Sequence, residues 1–145
     1  ELGLCYDVSA GYEGYSAGGI FDIAAEVENT RSPEVLSELL TILKGLREDG
    51  PTEAEMDKAK KRLRWFFRDL LDDATEATTF VASGTLSRVA LDPKRREEEI
   101  LAVTRERVRE AAASMFRPEA MNLLAVGQPS RRALVKLTRA VEAFR

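Results

Sequence analysis

Histidine is absent from this 145-residue chain, and cysteine occurs once, at Cys5. Protein zinc sites are built chiefly from Cys and His, so these residues cannot close one by themselves. The same absence rules out a Ser–His or Cys–His nucleophile pair. A single cysteine forms no internal disulfide and leaves the redox compartment unread. No run of 18 apolar residues occurs, so no stretch reads as a membrane-spanning helix. A calcium loop of the D-x-D-x-D-G kind is also missing. There is no excess of positive charge: 22 Lys and Arg stand against 25 Asp and Glu, for a net charge of -3. That balance speaks against nucleic acid or an anionic membrane as the main partner.

What is present is the composition of a folded chain, 44% apolar and 32% charged, long enough to bury a core. The chain has no initiator Met and no signal-peptide pattern, and it enters an alternating run at its second residue. We therefore expect a processed product or a fragment of something longer, in which case a targeting segment would not be visible and the compartment stays unread.

Leu2, Leu4, Tyr6 and Val8 alternate with polar or small residues, as do Phe21, Ile23, Ala25 and Val27. Both patterns have the period of a half-buried strand, giving Leu2–Ala10 and Ile20–Glu28 as an antiparallel pair. The stretch Gly11-Tyr-Glu-Gly-Tyr-Ser-Ala-Gly-Gly19 is rich in turn formers and predicts a broad connection. It is not read as a phosphate loop, because a strand rather than a helix follows.

Helical spacing takes over at Ser32-Pro33, an N-cap followed by proline at the first helical position. Leu36, Leu39, Leu40 and Leu43 then share a face, and Gly50 supplies the stop. Thr52-Glu-Ala-Glu55 is a capping-box pattern. It opens a helix with Leu63, Phe67 and Leu70 on its apolar side, expected to run past Asp73. Thr78–Ala90 is a weaker helical stretch, Asp92-Pro93 starts another helix, and Thr104 caps one ending near Phe116. Met121–Val126 is an apolar run of strand length, expected to join the sheet. Pro129 starts a last helix with Leu134, Leu137, Val141 and Phe144 inward. Three strands are few for so many amphipathic helices, so further sheet partners are expected from upstream residues or from another chain.

Asp69, Asp72, Asp73 and Glu76 crowd one stretch and read as a solvated helix surface. Trp65-Phe66-Phe67 sits among Lys58, Lys60, Lys61, Arg62, Arg64 and Arg68. We read it as a core-facing aromatic stripe with a solvated basic back rather than a base-stacking surface. Cys5 reads as a packing residue.

Several segments in order resemble the C-terminal repeat of the pitrilysin/insulinase zinc peptidases. The opening Glu1-Leu2-Gly3-Leu4-Cys5-Tyr6-Asp7-Val8-Ser9-Ala10 resembles the family's Arg-Glu-x-x-Gly-Leu-Ala-Tyr-Ser-Val-Ser-Ala. Gly19-Ile20-Phe21-Asp22-Ile23 resembles its Gly-x-Phe-x-Ile strand, and Gly50–Lys60 its Gly-x-Thr-x-x-Glu-Leu-x-x-Ala-Lys phrase. Ile100–Ala112, with Val103, Thr104 and Val108, and the closing Val126-Gly127 complete the set.

The resemblance implies an α+β fold, part of a metallohydrolase-like repeat, with an antiparallel sheet covered on one face by several helices. Residues 1–145 would be the C-terminal part of an inactive repeat. Such repeats pair face to face with a catalytic repeat whose H-x-x-E-H motif holds zinc, in the same polypeptide or in a partner subunit. This chain has no such motif, so the resemblance implies no cofactor here, zinc in the partner domain, and no activity alone. It assigns peptide-substrate binding to Tyr6, paired in the family with an Arg that falls ahead of Glu1. Other relatives are structural core subunits without zinc, and the same residues also suit a helical adaptor that recruits a partner's strand.

Overall fold

The computed structural model describes residues 3–70, 72–87 and 92–144. The fold is α+β, and the chain divides into two compact units: Glu1–Gly50 with Arg109–Arg145, and Pro51–Val108.

In the first unit, strands β1 (Asp7–Tyr15) and β2 (Gly18–Glu26) form an antiparallel hairpin. The register runs from Asp7 opposite Glu26 to Tyr15 opposite Gly18. The first strand therefore begins and ends later than the alternation predicts, the second begins and ends earlier, and the connection is tighter: Ser16 and Ala17 make the whole turn. The expected turn glycines are strand residues, and Tyr12 gives the physical reason. Its ring lies across the bare backbone of Gly19, where a Cβ would come within 2.5 Å of the phenol oxygen and 2.8 Å of ring carbons. An aromatic ring thus covers a strand glycine that would otherwise leave the ladder thinly packed. Leu2 lies outside the described residues, and Val8 is exposed.

Helix α1 (Ser32–Glu48) follows. Ser32 is its first residue and not its cap; Arg31 holds the cap position, while Ser32 Oγ donates to the Asn29 carbonyl at 2.9 Å. Gly50 ends the helix with φ 74, a left-handed conformation that glycine adopts without the Cβ penalty. α1 packs on the final helix of the chain, Arg131–Ala143, whose Ser130 cap accepts from Ala133 N. Val35, Leu40, Ala112, Ala133, Leu137 and Phe144 are buried. Leu134, expected inward, is exposed; Ala133 takes that place, because the helix turns its 133–137–144 side to the core. Arg47 reaches across this core, donating to the Phe116 carbonyl at 3.3 Å with its guanidinium 5.1 Å from the Phe144 ring centre.

The 121–126 run does not join the sheet. Among the described residues the sheet has two strands, and this run is irregular, with Leu124 86% and Val126 91% exposed. An apolar run of strand length becomes a strand only where a ladder partner takes up its N–H and C=O groups, and here it meets none. The Val126-Gly127 ending instead runs beside Asn29, whose Oδ1 would lie 2.9 Å from any Cβ at Gly127.

The second unit is helical, with α2 (Glu53–Leu70), α3 (Ala74–Ser87) and α4 (Pro93–Leu101), both of the latter contacting α2. The capping box forms as written: Thr52 N–H donates to Glu55 Oε2 at 2.7 Å, and Glu55 N–H to Thr52 Oγ1 at 3.2 Å. α2 is described as far as Leu70 and does not continue past Asp73, because Asp73 Oδ1 accepts from Thr75 N and Glu76 N and starts α3. The four acidic residues are accordingly split between two helix ends. The end of the Thr78–Ala90 stretch lies outside the described residues. Asp92 caps α4, and Thr104 Oγ1 accepts from Arg107 N at the start of α5 (Arg105–Met115). Phe67 and Leu70 are buried at 6% and 3% exposure, and Phe67 meets Phe80 edge-on at 6.1 Å. Leu39, Leu43 and Leu63 are half-buried. Trp65 and Phe66 are exposed, so only Phe67 of the aromatic cluster faces the core.

Candidate functional site

Tyr6 stands immediately before β1. Its backbone N–H donates to the Glu26 carbonyl at 2.8 Å, extending the hairpin ladder by one bond and fixing the backbone at this point. The side chain is 77% exposed, so packing does not hold it. Its phenol O–H meets Glu28 Oε1 at 3.4 Å, a long contact that contributes little. The antiparallel register explains that meeting, since the start of β1 lies beside the end of β2. Nearby in sequence, Arg31 donates to the Gly3 carbonyl at 2.9 Å and pairs with Glu34 at 3.5 Å. The first described residues are thereby tied to the entrance of α1.

The hairpin carries two further exposed tyrosines, and each is committed elsewhere. Tyr12 covers Gly19. Tyr15 donates to Glu13 Oε2 at 2.6 Å, and this hydrogen bond to a carboxylate raises the phenol pKa above its usual value. Tyr6 differs from both in having a weakly engaged hydroxyl. A phenol so placed can donate to a peptide carbonyl or to a developing oxyanion at the cost of one long contact.

Residues 1–63 match the family model described as the Peptidase M16 inactive domain. The resemblance to the pitrilysin/insulinase non-catalytic domain is supported over that span. The inactive-domain match contains Tyr6, the whole hairpin, α1 and the capping box. The segments Ile100–Ala112 and Val126-Gly127 lie beyond it. A search among curated proteins finds no significant match.

The residues of this chain do not fit zinc: histidine is absent, and the one thiol, Cys5, is half-buried. Among the described residues no group of three or more His, Cys, Asp or Glu side chains is arranged to hold a metal ion. Among them, too, no helix is long and apolar enough to cross a membrane.

The first unit also holds an open apolar cavity of about 730 Å³ between the hairpin and α1, lined by Phe21, Ile23, Leu36, Leu39, Leu43 and Met121. It explains why Leu39 and Leu43 are half-buried rather than sealed. Sequence reasoning missed Glu28 as the neighbour of Tyr6, because its register paired the strands differently. No local signal would have set the pairing, because Ser16-Ala17 is not among the Asn-Gly, Asp-Gly or Gly-X dipeptides that mark a two-residue turn.

Proposed function

We propose that this chain is a non-catalytic, substrate-binding domain of a zinc-dependent metalloendopeptidase. It closes the peptide-binding chamber over a zinc site held by a partner domain, in the same polypeptide or in a second subunit. Tyr6 is the residue of this chain that holds the peptide. The observation that carries the reading is an exposed tyrosine, weakly hydrogen-bonded, at the family position within the matched segment.

The role asked of Tyr6 is modest and well suited to a phenol. Its O–H donates to the carbonyl oxygen of the bound peptide and holds it more strongly as negative charge builds there. Delivery from a facing domain means that the donor is in place only when the chamber is closed, which links turnover to domain closure. Moving the hydroxyl from Glu28 to the peptide breaks only a 3.4 Å contact, so the exchange costs little.

The test is reconstitution of this chain with the zinc-bearing half of its parent protease. Peptide cleavage should require both parts and should fall when either is omitted. Full cleavage by the zinc-bearing half alone would instead favour the second reading, a structural core-type subunit of the same family.

A further inference from the structure

The outer face of α2 carries a concentration of positive charge that the role of Tyr6 does not use. From Lys58 to Arg68 the helix has Lys58, Lys60, Lys61, Arg62, Arg64 and Arg68 and no acidic residue, in a chain whose net charge is -3. Among the described residues none of these six forms a salt bridge, whereas Arg95 and Arg96 of α4 share Glu99. Trp65 lies in their midst and is 61% exposed, with the Arg68 guanidinium 5.5 Å from its ring centre. Lys58, Lys61, Arg62, Trp65 and Arg68 follow the three- and four-residue spacing that places side chains on one helix face. Phe67 and Leu70, on the opposite side, are buried in the unit.

We infer that this face of α2 is a docking surface for an acidic segment of a partner polypeptide, centred on Trp65. The four like charges on this face, Lys58, Lys61, Arg62 and Arg68, repel one another, and carboxylates of a partner would relieve that repulsion. A tryptophan with Arg68 at its ring and Lys61 and Arg62 on the same face has the make-up of an interface anchor, with a large apolar body and charges placed to select the partner. Membrane insertion would need an open apolar helix face, but that face of α2 is buried in its own unit. Single-stranded nucleic acid would need several free rings for stacking, and of the two exposed rings here Trp65 is met by Arg68 and Phe66 packs edge-on against Phe67.

This surface is independent of Tyr6, and its test needs no protease. The probe is a fluorescent acidic peptide with Glu at three- and four-residue intervals around a central Leu, titrated with the full chain and read by anisotropy. Binding should weaken on the order of tenfold or more when salt rises from about 50 to about 200 mM. K58E/R62E should weaken it by at least about tenfold. R95E/R96E, with the same charge change in the same unit, should shift it by less than about twofold. W65A should weaken it while leaving the helical circular dichroism unchanged. Equal losses in the two charge-reversed variants, an unaffected W65A, or no binding at low salt would overturn the proposal. Tighter binding to oligo-dT or to phosphatidylserine vesicles than to the peptide would overturn it too.

Discussion

Replacing Phe67 should unfold the second unit more readily than any other single truncation along α2. Its ring is buried and meets Phe66 at 5.3 Å and Phe80 at 6.1 Å, both close to edge-on. Phe→Ala at a buried site costs about 3–5 kcal/mol, the lost transfer energy plus the cavity left behind. Of that, edge-on pairing contributes about 0.5–1.5 kcal/mol beyond area burial. Phe67→Leu keeps most of the volume and loses mainly the pairing, so it should cost about 1–1.5 kcal/mol. Leu63→Ala, at a half-buried site, should fall below Phe67→Ala, at about 1–2 kcal/mol. The sole tryptophan, Trp65, lies in this unit, so its fluorescence reports unfolding there. With an m-value of about 1.5 kcal/mol per molar urea, a loss of about 3 kcal/mol moves the midpoint by roughly 2 M. A Phe67→Ala cost under about 1 kcal/mol at unchanged m, or equal costs for Ala and Leu, would refute the packing argument.

Three further outcomes follow from local contacts. Thr52→Ala removes half of the capping box and should cost about 1 kcal/mol in urea unfolding. The same box makes stability pH-dependent. The Thr52 N–H, and then its hydroxyl, hold the Glu55 carboxyl below its usual pKa. A lowered folded pKa means that the contribution is present above the unfolded pKa and is lost as pH falls through the folded one. Stability should therefore drop in acid below about pH 4.3, and Thr52→Ala should flatten that drop; an unchanged acid limb would contradict it. Arg47→Met keeps the stem but removes the donor to the Phe116 carbonyl and the cation against Phe144. It should lower the thermal midpoint, at a cost of about 1–2 kcal/mol, and a neutral effect would show that this bridge carries no stability.

Local chemistry made much of this fold readable. Thr52 and Glu55 form their box, Gly50 stops α1 with positive φ, and Asp92 caps α4, because each signal depends only on residues a few positions apart. Long-range competition decided the rest. Tyr12 turns the glycines of 11–19 into strand by covering Gly19, a contact that no count of turn formers contains. Asp73 was read as lying within a helix, and the structure uses it as a cap. The 121–126 run reads as a strand by composition, yet a strand needs a partner that local pattern cannot supply. The aromatic cluster was half right. Phe67 faces the core, while Trp65, two residues back, falls on the basic side of the helix. At the candidate site, Tyr6 came from the resemblance, whereas its exposure and its Glu28 neighbour came only from the folded chain.

The central claim is that Tyr6 binds substrate and does not hold the fold together. It is tested most directly by Tyr6→Phe in the full-length or reconstituted protease, with kcat and melting temperature measured on the same preparation. The change keeps the exposed ring and removes only an O–H engaged at 3.4 Å, so stability should shift by under about 1 kcal/mol. Loss of one oxyanion donor should lower kcat on the order of a hundredfold, about 3 kcal/mol. An unchanged kcat, or a loss of activity that only tracks a fall in melting temperature, would contradict the account.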